Sequence, residues 1–223
     1  MYKRQVVVNG LGFEPWADKL IQSAGYKGAT VVASQGVQAR SMEEEPGHAG
    51  HAHAQTDPHA WQNPENVVGY VRNIAAGLGK ADPAGASRYT ANAEAYVREL
   101  QALDAWAKAQ IATIPADKRK VITSHDAFGY FAAHYGVQFL APQGMSTETE
   151  PSAKQVARLV QQIRREKIRA VFMENMSNPK LIAQLSRDAG VTLGASLYAD
   201  ALSPTGQPGA SYPVSYTHLT LPT

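Results

Sequence analysis

The feature that most constrains this chain is its alternation of short apolar runs with helix-period segments, punctuated by Asn-Pro and Asp-Pro pairs. Val6-Val7-Val8-Asn9 reads as a buried strand. Gly10-Leu11-Gly12 then turns the chain toward a helix with Trp16, Leu20 and Ile21 on one face, and residues 29–33 form a second strand. A loop occupies residues 34–62. Asn63-Pro64-Glu65 is a strong helix start, with Asn at the N-cap, Pro at the first helical position and an acid in the first turn. Val67, Val71, Ile74 and Leu78 follow at helical spacing. Asp82-Pro83 repeats the start signal, and the period continues through Ala93, Val97, Leu100 and Leu103 to about Thr113. Some thirty residues in one helix extend roughly 45 Å, long enough to connect two lobes.

Ile114-Pro115 ends that helix, and the alternation resumes. Strands are predicted over 120–123, 138–140, 170–173 and 192–198. Helices are predicted over 127–135, 151–167 and from Asn178-Pro179 to Ala189. Strands that alternate with helices pair in parallel and are covered on their faces by those helices. The expected fold is therefore α/β: two lobes, each a parallel sheet flanked by helices, joined by one long rigid helix. The lobes fall at residues 6–82 and 119–212, with the connecting helix at 83–114.

Composition narrows the function. Apolar residues make up 44% and charged residues 18%, the balance of a folded chain. The net charge of +2 is too small for a nucleic-acid surface. No apolar run is long enough for a membrane-spanning helix. Cysteine is absent, so disulfides, thiolate metal sites and thiol chemistry are excluded, and any metal falls to His, Asp or Glu. The ends carry a different signature. Residues 1–5 (MYKRQ) and the segment SYTHLTLPT resemble translated sequencing adaptor, so residues 1–5 and 213–223 are expected to be non-native and both lobes incomplete. Setting Lys3 and Arg4 aside brings the net charge to zero.

The chemistry concentrates in a few places. Four of the seven histidines lie between His48 and His59. His48, His51 and His53 sit in an acidic, Gly-rich tract at residues 43–54, which reads either as a metal-gathering loop or as a solvated one. His59, in Asp57-Pro58-His59-Ala60-Trp61, stands just before a helix start, with Pro58 fixing the backbone and Trp61 placed to anchor it. It reads as a ligand or as a satisfied surface residue. His125 follows the predicted strand 120–123, at the strand end where open α/β sheets bind ligands. Asp126 beside it reads as an orienting carboxylate or, better, as a helix cap. Asp200 holds the matching position after residues 192–198, as ligand or turn cap. Glu174 ends another strand and reads as a structural acceptor, with a ligand role in reserve. His134 reads as packing. Gly10-Leu11-Gly12 opens like a dinucleotide fingerprint, but position 15 is Pro15 and no acid stands about twenty residues on. Ser124, His125 and Asp126 are adjacent, so they point apart and form no triad.

Four ordered strings resemble one family. They are Val8-Asn9-Gly10-Leu11-Gly12-Phe13-Glu14-Pro15-Trp16, the Asp57 to Trp61 segment, Ser124-His125-Asp126-Ala127-Phe128-Gly129-Tyr130-Phe131 and Leu197-Tyr198-Ala199-Asp200-Ala201-Leu202-Ser203. The chain resembles the solute-binding proteins of zinc and manganese ABC transporters over residues 6–212. That resemblance implies two α/β lobes around a rigid helix with a metal between them. It places the family's second, third and fourth ligands on His59, His125 and Asp200, and its first before residue 1. Histidine rather than glutamate at position 125 implies zinc as bound cargo, as does the His-rich loop. Also implied are a periplasmic or otherwise extracytoplasmic location, a signal peptide lying outside this chain, a membrane ABC permease and a periplasmic metallochaperone as partners, and a monomer. No nucleic acid and no enzymatic activity are implied. The alternatives are manganese or iron as cargo, a metal-dependent hydrolase, for which no general base is evident, and an adhesin, for which no receptor contact is encoded.

Overall fold

The computed structural model describes residues 5–41, 56–142, 152–176 and 179–219. They divide into two compact units, Met1–Asp104 and Ala105–Thr223. The architecture is α/β, with parallel sheets flanked by helices and one long helix passing through the boundary.

In the first unit, strand β1 (Val6–Val8) pairs in parallel with β2 (Thr30–Val32), in the register Val6 to Thr30 and Val8 to Val32. Helix α1 (Ala17–Ser23) makes the crossover. Gly10, just past β1, is required as glycine: its φ is +85°, and a Cβ there would stand 2.6 Å from Val32 Cγ1 and 2.7 Å from Ser34 Oγ. Helix α2 (Pro64–Ala81) begins as its start signal predicts, with the Asn63 side chain accepting from the Glu65 N–H at 2.9 Å. Gly77 of α2 lets the helix approach Val31 of β2, whose Cγ2 would lie 2.2 Å from an added Cβ.

Helix α3 (Ala86–Ala112) follows a single 3₁₀ turn at Pro83–Gly85. Its buried stripe is Ala93, Val97, Leu100, Leu103, Ala107 and Ile111, the three-and-four spacing read from the sequence.

In the second unit, β3 (Lys120–Ile122) lies between β4 (Gln138–Leu140) and β5 (Ala170–Val171), all parallel. Helix α4 (Gly129–Tyr135) connects β3 to β4. Helix α5 (Ala153–Glu166) connects β4 to β5, and α6 (Pro179–Ala189) follows β5. Ser152 and Gln155 close a reciprocal capping box at the start of α5. Ile122, Leu159, Ile163, Ile168, Val171, Ile182 and Leu185 form the core where α5 and α6 pack together on the sheet.

Several expectations change on contact with the structure. The segment 192–198 is not a continuous strand. It makes two isolated parallel bridges, Leu193 to Val171 and Leu197 to Glu174, with one more residue on its own side than on the β5 side. Gly194 lies in this interval, and the Phe172 ring crowds it so closely that a Cβ would be 2.3 Å from Cε1. The surplus residue has the character of a bulge, which bends a strand and re-aims the residues beyond it. Trp16 and Leu20 are exposed at 60% and 59%, so the apolar face expected on α1 is carried inward by Ala17 instead. The stretch from Pro213 onward shows neither the helix nor the strand period, yet residues Tyr212–Thr217 form helix α7 with Pro213 in its first turn. Tyr216 is buried there and donates to the Tyr135 hydroxyl at 3.1 Å. The candidate loop at 43–54 and the Asn178 cap lie outside the described residues.

Candidate metal centre

In the first unit, His59 is 1% exposed and sits at the head of the 3₁₀ turn Ala60–Gln62. Two residues earlier, Asp57 turns its carboxylate back. Its Oδ1 accepts the His59 backbone N–H at 3.0 Å and lies 2.8 Å from the ring Nδ1. An ionised carboxylate only accepts, so Nδ1 is the donor in this contact. The backbone is fixed on both sides of the histidine. Asn9, directly after β1, donates to the Pro58 carbonyl at 3.1 Å, and Asn66 of α2 donates to the Ala60 carbonyl at 3.0 Å. Asn9 is itself held by the Tyr70 hydroxyl at 2.8 Å, while Glu14 accepts its N–H at 2.7 Å. Trp61 meets the imidazole edge-on at 5.2 Å and Phe13 at 6.4 Å, so two aromatic rings pack beside it.

In the second unit, the chain leaves β3 through Thr123 and Ser124 into His125, which is 1% exposed. The Thr123 hydroxyl and the Ala127 N–H both bond the His125 carbonyl, at 3.1 Å each. Glu174, past the end of β5, accepts the Ser124 N–H at 2.7 Å and the His125 N–H at 3.1 Å through Oε1. Its Oε2 contacts the His125 Nδ1. On the other side of the ring, Nε2 lies 3.2 Å from Oδ2 of Asp200. Burial alone would lower the His125 pKa. The hydrogen bonds to Asp200 and Glu174, with their negative charges, outweigh it and raise the value to about 10.

The structure thus brings two of the three predicted ligands, His125 and Asp200, into contact within one unit, and sets His59 on a carboxylate in the other. Glu174 takes the acceptor role expected of it. Asp126 does not cap the following helix: α4 starts at Gly129, and its N-cap is Phe128. The carboxylates facing the His125 ring come instead from Glu174 and Asp200. His134 is half-buried and packs edge-on against Tyr135 at 4.6 Å. Sequence reasoning assigns Asp57 no role of its own. The signal is present nonetheless, because a carboxylate two residues before a histidine can reach both its N–H and its ring. His48, His51 and His53 lie outside the described residues.

A protein-family model described as zinc-uptake complex component A, periplasmic (ZnuA) matches residues 4–220. The chain belongs to this family. It is 34% identical over 205 residues to the manganese-binding lipoprotein MntA of Halalkalibacterium halodurans, covering 92% of this chain and 65% of that protein. It is 34% identical over 218 residues to the iron-binding protein YfeA of Yersinia pestis, covering 98% of this chain and 68% of that one. Among solved structures, the periplasmic zinc-binding protein TroA of Treponema pallidum superposes with a TM-score of 0.87 at 28% identity, covering 97% of this chain and 78% of that chain. The chain therefore spans about two thirds of the length of these curated relatives. ZnuA-family proteins are solute-binding proteins of metal transport rather than enzymes, which sets the hydrolase alternative aside. Membership places the chain in the periplasm or its extracytoplasmic equivalent.

Proposed function

We propose that this chain is the metal-capturing part of a zinc-binding solute-binding protein, with His59, His125 and Asp200 as ligands to the ion. The observation that carries this reading is the His125–Asp200 pair. Nδ1 of the ring is engaged by Glu174, and Nε2 and the Asp200 Oδ2 converge at 3.2 Å. Two donors at zinc bonding distance in a tetrahedral shell stand about 3.3 Å apart, so the pair is spaced to share one ion. Asp57 prepares Nε2 of His59 in the same way. Two imidazoles and a carboxylate suit zinc, whereas manganese takes a larger share of carboxylate donors. The names of the relatives supply the competing reading, manganese or iron at the same residues.

In this reading the ion is cargo. The protein takes it up outside the cytoplasm as a monomer, receives it in part from a metallochaperone, and delivers it to a membrane ABC permease. The His-rich tract at 43–54 gathers ions weakly and is accessory. Calorimetric titration with zinc and with manganese at pH 7, on the chain and on His125→Ala, tests the proposal. One tight zinc site that disappears in the variant supports it. Several weak sites indifferent to the substitution would place binding in the His-rich tract. A stronger manganese response would reassign the cargo.

A further inference from the structure

We propose that Glu174 is the positioning residue of this site: it keeps the proton on Nδ1 of His125 and so commits Nε2 to the metal. The inference rests on the reading of His125 as a ligand.

The argument is one of donors and acceptors. Glu174 is 2% exposed: the backbone N–H groups of Ser124 and His125 donate to its Oε1, and Nδ1 of the His125 ring lies against its Oε2. A backbone N–H can only donate, so Oε1 must be an acceptor whatever the ring does. Oε2, as part of an ionised carboxylate, also only accepts, and Nδ1 must then be the protonated nitrogen. The same construction appears independently around His59, where Oδ1 of Asp57 receives both the backbone N–H and Nδ1. Two histidines in two separate units, each backed by one carboxylate on backbone and ring together, point to a shared requirement for a defined tautomer.

The end of β5 does more than hold the ring. Asn175, next to Glu174, donates from its side chain to the Ala201 carbonyl at 2.9 Å and from its backbone to the Leu197 carbonyl at 3.0 Å. Glu174 thus fixes the His125 segment while its neighbour fixes the segment carrying Asp200. The spacing of the two donor atoms is set from one place in the fold.

Glu174→Gln separates positioning from plain support. A Gln at this position keeps the side-chain shape and one acceptor oxygen. The two backbone N–H groups compel that oxygen to face them, which turns the amide NH₂ toward the ring. A donor then opposes Nδ1, and the ring must give up the Nδ1 proton or turn away. If Glu174 only supported the backbone, Gln would serve as well.

The experiment compares the wild-type chain, Glu174→Gln, Glu174→Asp and His125→Ala. It measures zinc affinity by chelator competition, thermal melting, and ring ¹⁵N shifts of the zinc-loaded protein. The expected result for Glu174→Gln is a cooperative melt with zinc affinity lowered ten- to a hundredfold. Glu174→Asp retains the carboxylate and recovers part of the loss. In the wild-type spectrum zinc sits on Nε2 and the proton on Nδ1 of His125. Unchanged affinity in Glu174→Gln, with zinc lost in His125→Ala, overturns the positioning role and leaves the ligand reading intact. Unchanged affinity in His125→Ala overturns the ligand reading, and this inference with it. Should Glu174→Gln fail to fold, the wild-type spectrum decides, because zinc on Nδ1 of His125 overturns the proposal.

Discussion

At the scale of the residue, the His125 ring stands between two carboxylates, Glu174 and Asp200. With its pKa raised to about 10, His125 is expected to carry a proton on Nε2, facing Asp200, at neutral pH in the metal-free chain. A zinc ion that takes Nε2 must displace it. Zinc binding at pH 7.5 is therefore expected to release close to one proton from this site, seen as a calorimetric enthalpy that varies with the ionisation enthalpy of the buffer. A buffer-independent enthalpy would contradict this. The same shift carries a stability consequence for the metal-free form. A histidine whose folded pKa lies above its unfolded value near 6.5 contributes stability that is complete below about pH 6.5 and is lost as pH rises toward about 10. The metal-free chain is expected to melt at a lower temperature at pH 9.5 than at pH 6.5, with the dependence reduced in His125→Ala. Position alone left His59, His125 and Asp200 open between ligand and structural roles, and it was the resemblance of four ordered strings that singled them out as candidates. The roles of their supporting carboxylates were not equally legible. Asp57 acts two residues away and was within reach of local reasoning. Glu174 meets His125 across 49 residues, a meeting that only the packing of β3 beside β5 creates.

At the scale of the element, two substitutions test why the site stands where it does. Asn63 begins α2 by accepting the Glu65 N–H, and that helix supplies Asn66 to the Ala60 carbonyl and Tyr70 to Asn9, which in turn bonds the Pro58 carbonyl. Asn63→Ala is expected to cost about 1 kcal/mol in denaturant unfolding, and Asn63→Asp little, because an aspartate caps as well. Gly10 turns the chain out of β1 at φ +85°, with Val32 and Ser34 too close for a Cβ. Gly10→Ala is expected to cost roughly 1–3 kcal/mol by the same measurement. The start of α2 was the most legible of these elements, because Asn-Pro-Glu declares itself locally, whereas the Ser152–Gln155 box of α5 emerged only with the structure. The segment 192–198 was not legible, since its extra residue answers to the Phe172 ring against Gly194, a contact absent from any local pattern. Helix α7 was missed for a related reason: its large buried side chain, Tyr216, gains meaning only beside Tyr135 and Phe131.

At the scale of the whole molecule, the parallel α/β architecture and the long α3 follow from strand and helix periods repeated along the chain, so they were legible without any tertiary knowledge. What the periods do not encode is coupling. His59 belongs to Met1–Asp104, while His125 and Asp200 belong to Ala105–Thr223. If one ion takes all three side chains, as proposed, binding must stabilise both units at once, because a ligand that prefers the folded protein adds stability as its concentration exceeds the Kd. At about one hundred times the Kd this is roughly 2.7 kcal/mol. Hydrogen exchange followed by mass spectrometry can locate that gain. Added zinc is expected to slow exchange in peptides around residue 59 as well as in those around residues 125 and 200, and to do so less when His59 is replaced by alanine. Protection confined to residues 120–125, 174 and 197–201 would mean that the second unit binds alone and that His59 is no ligand. Deleting residues 43–54 supplies the complementary control, since an accessory loop can be removed with the pattern intact. Loss of protection on that deletion, with His59→Ala harmless, would move the site to the His-rich tract.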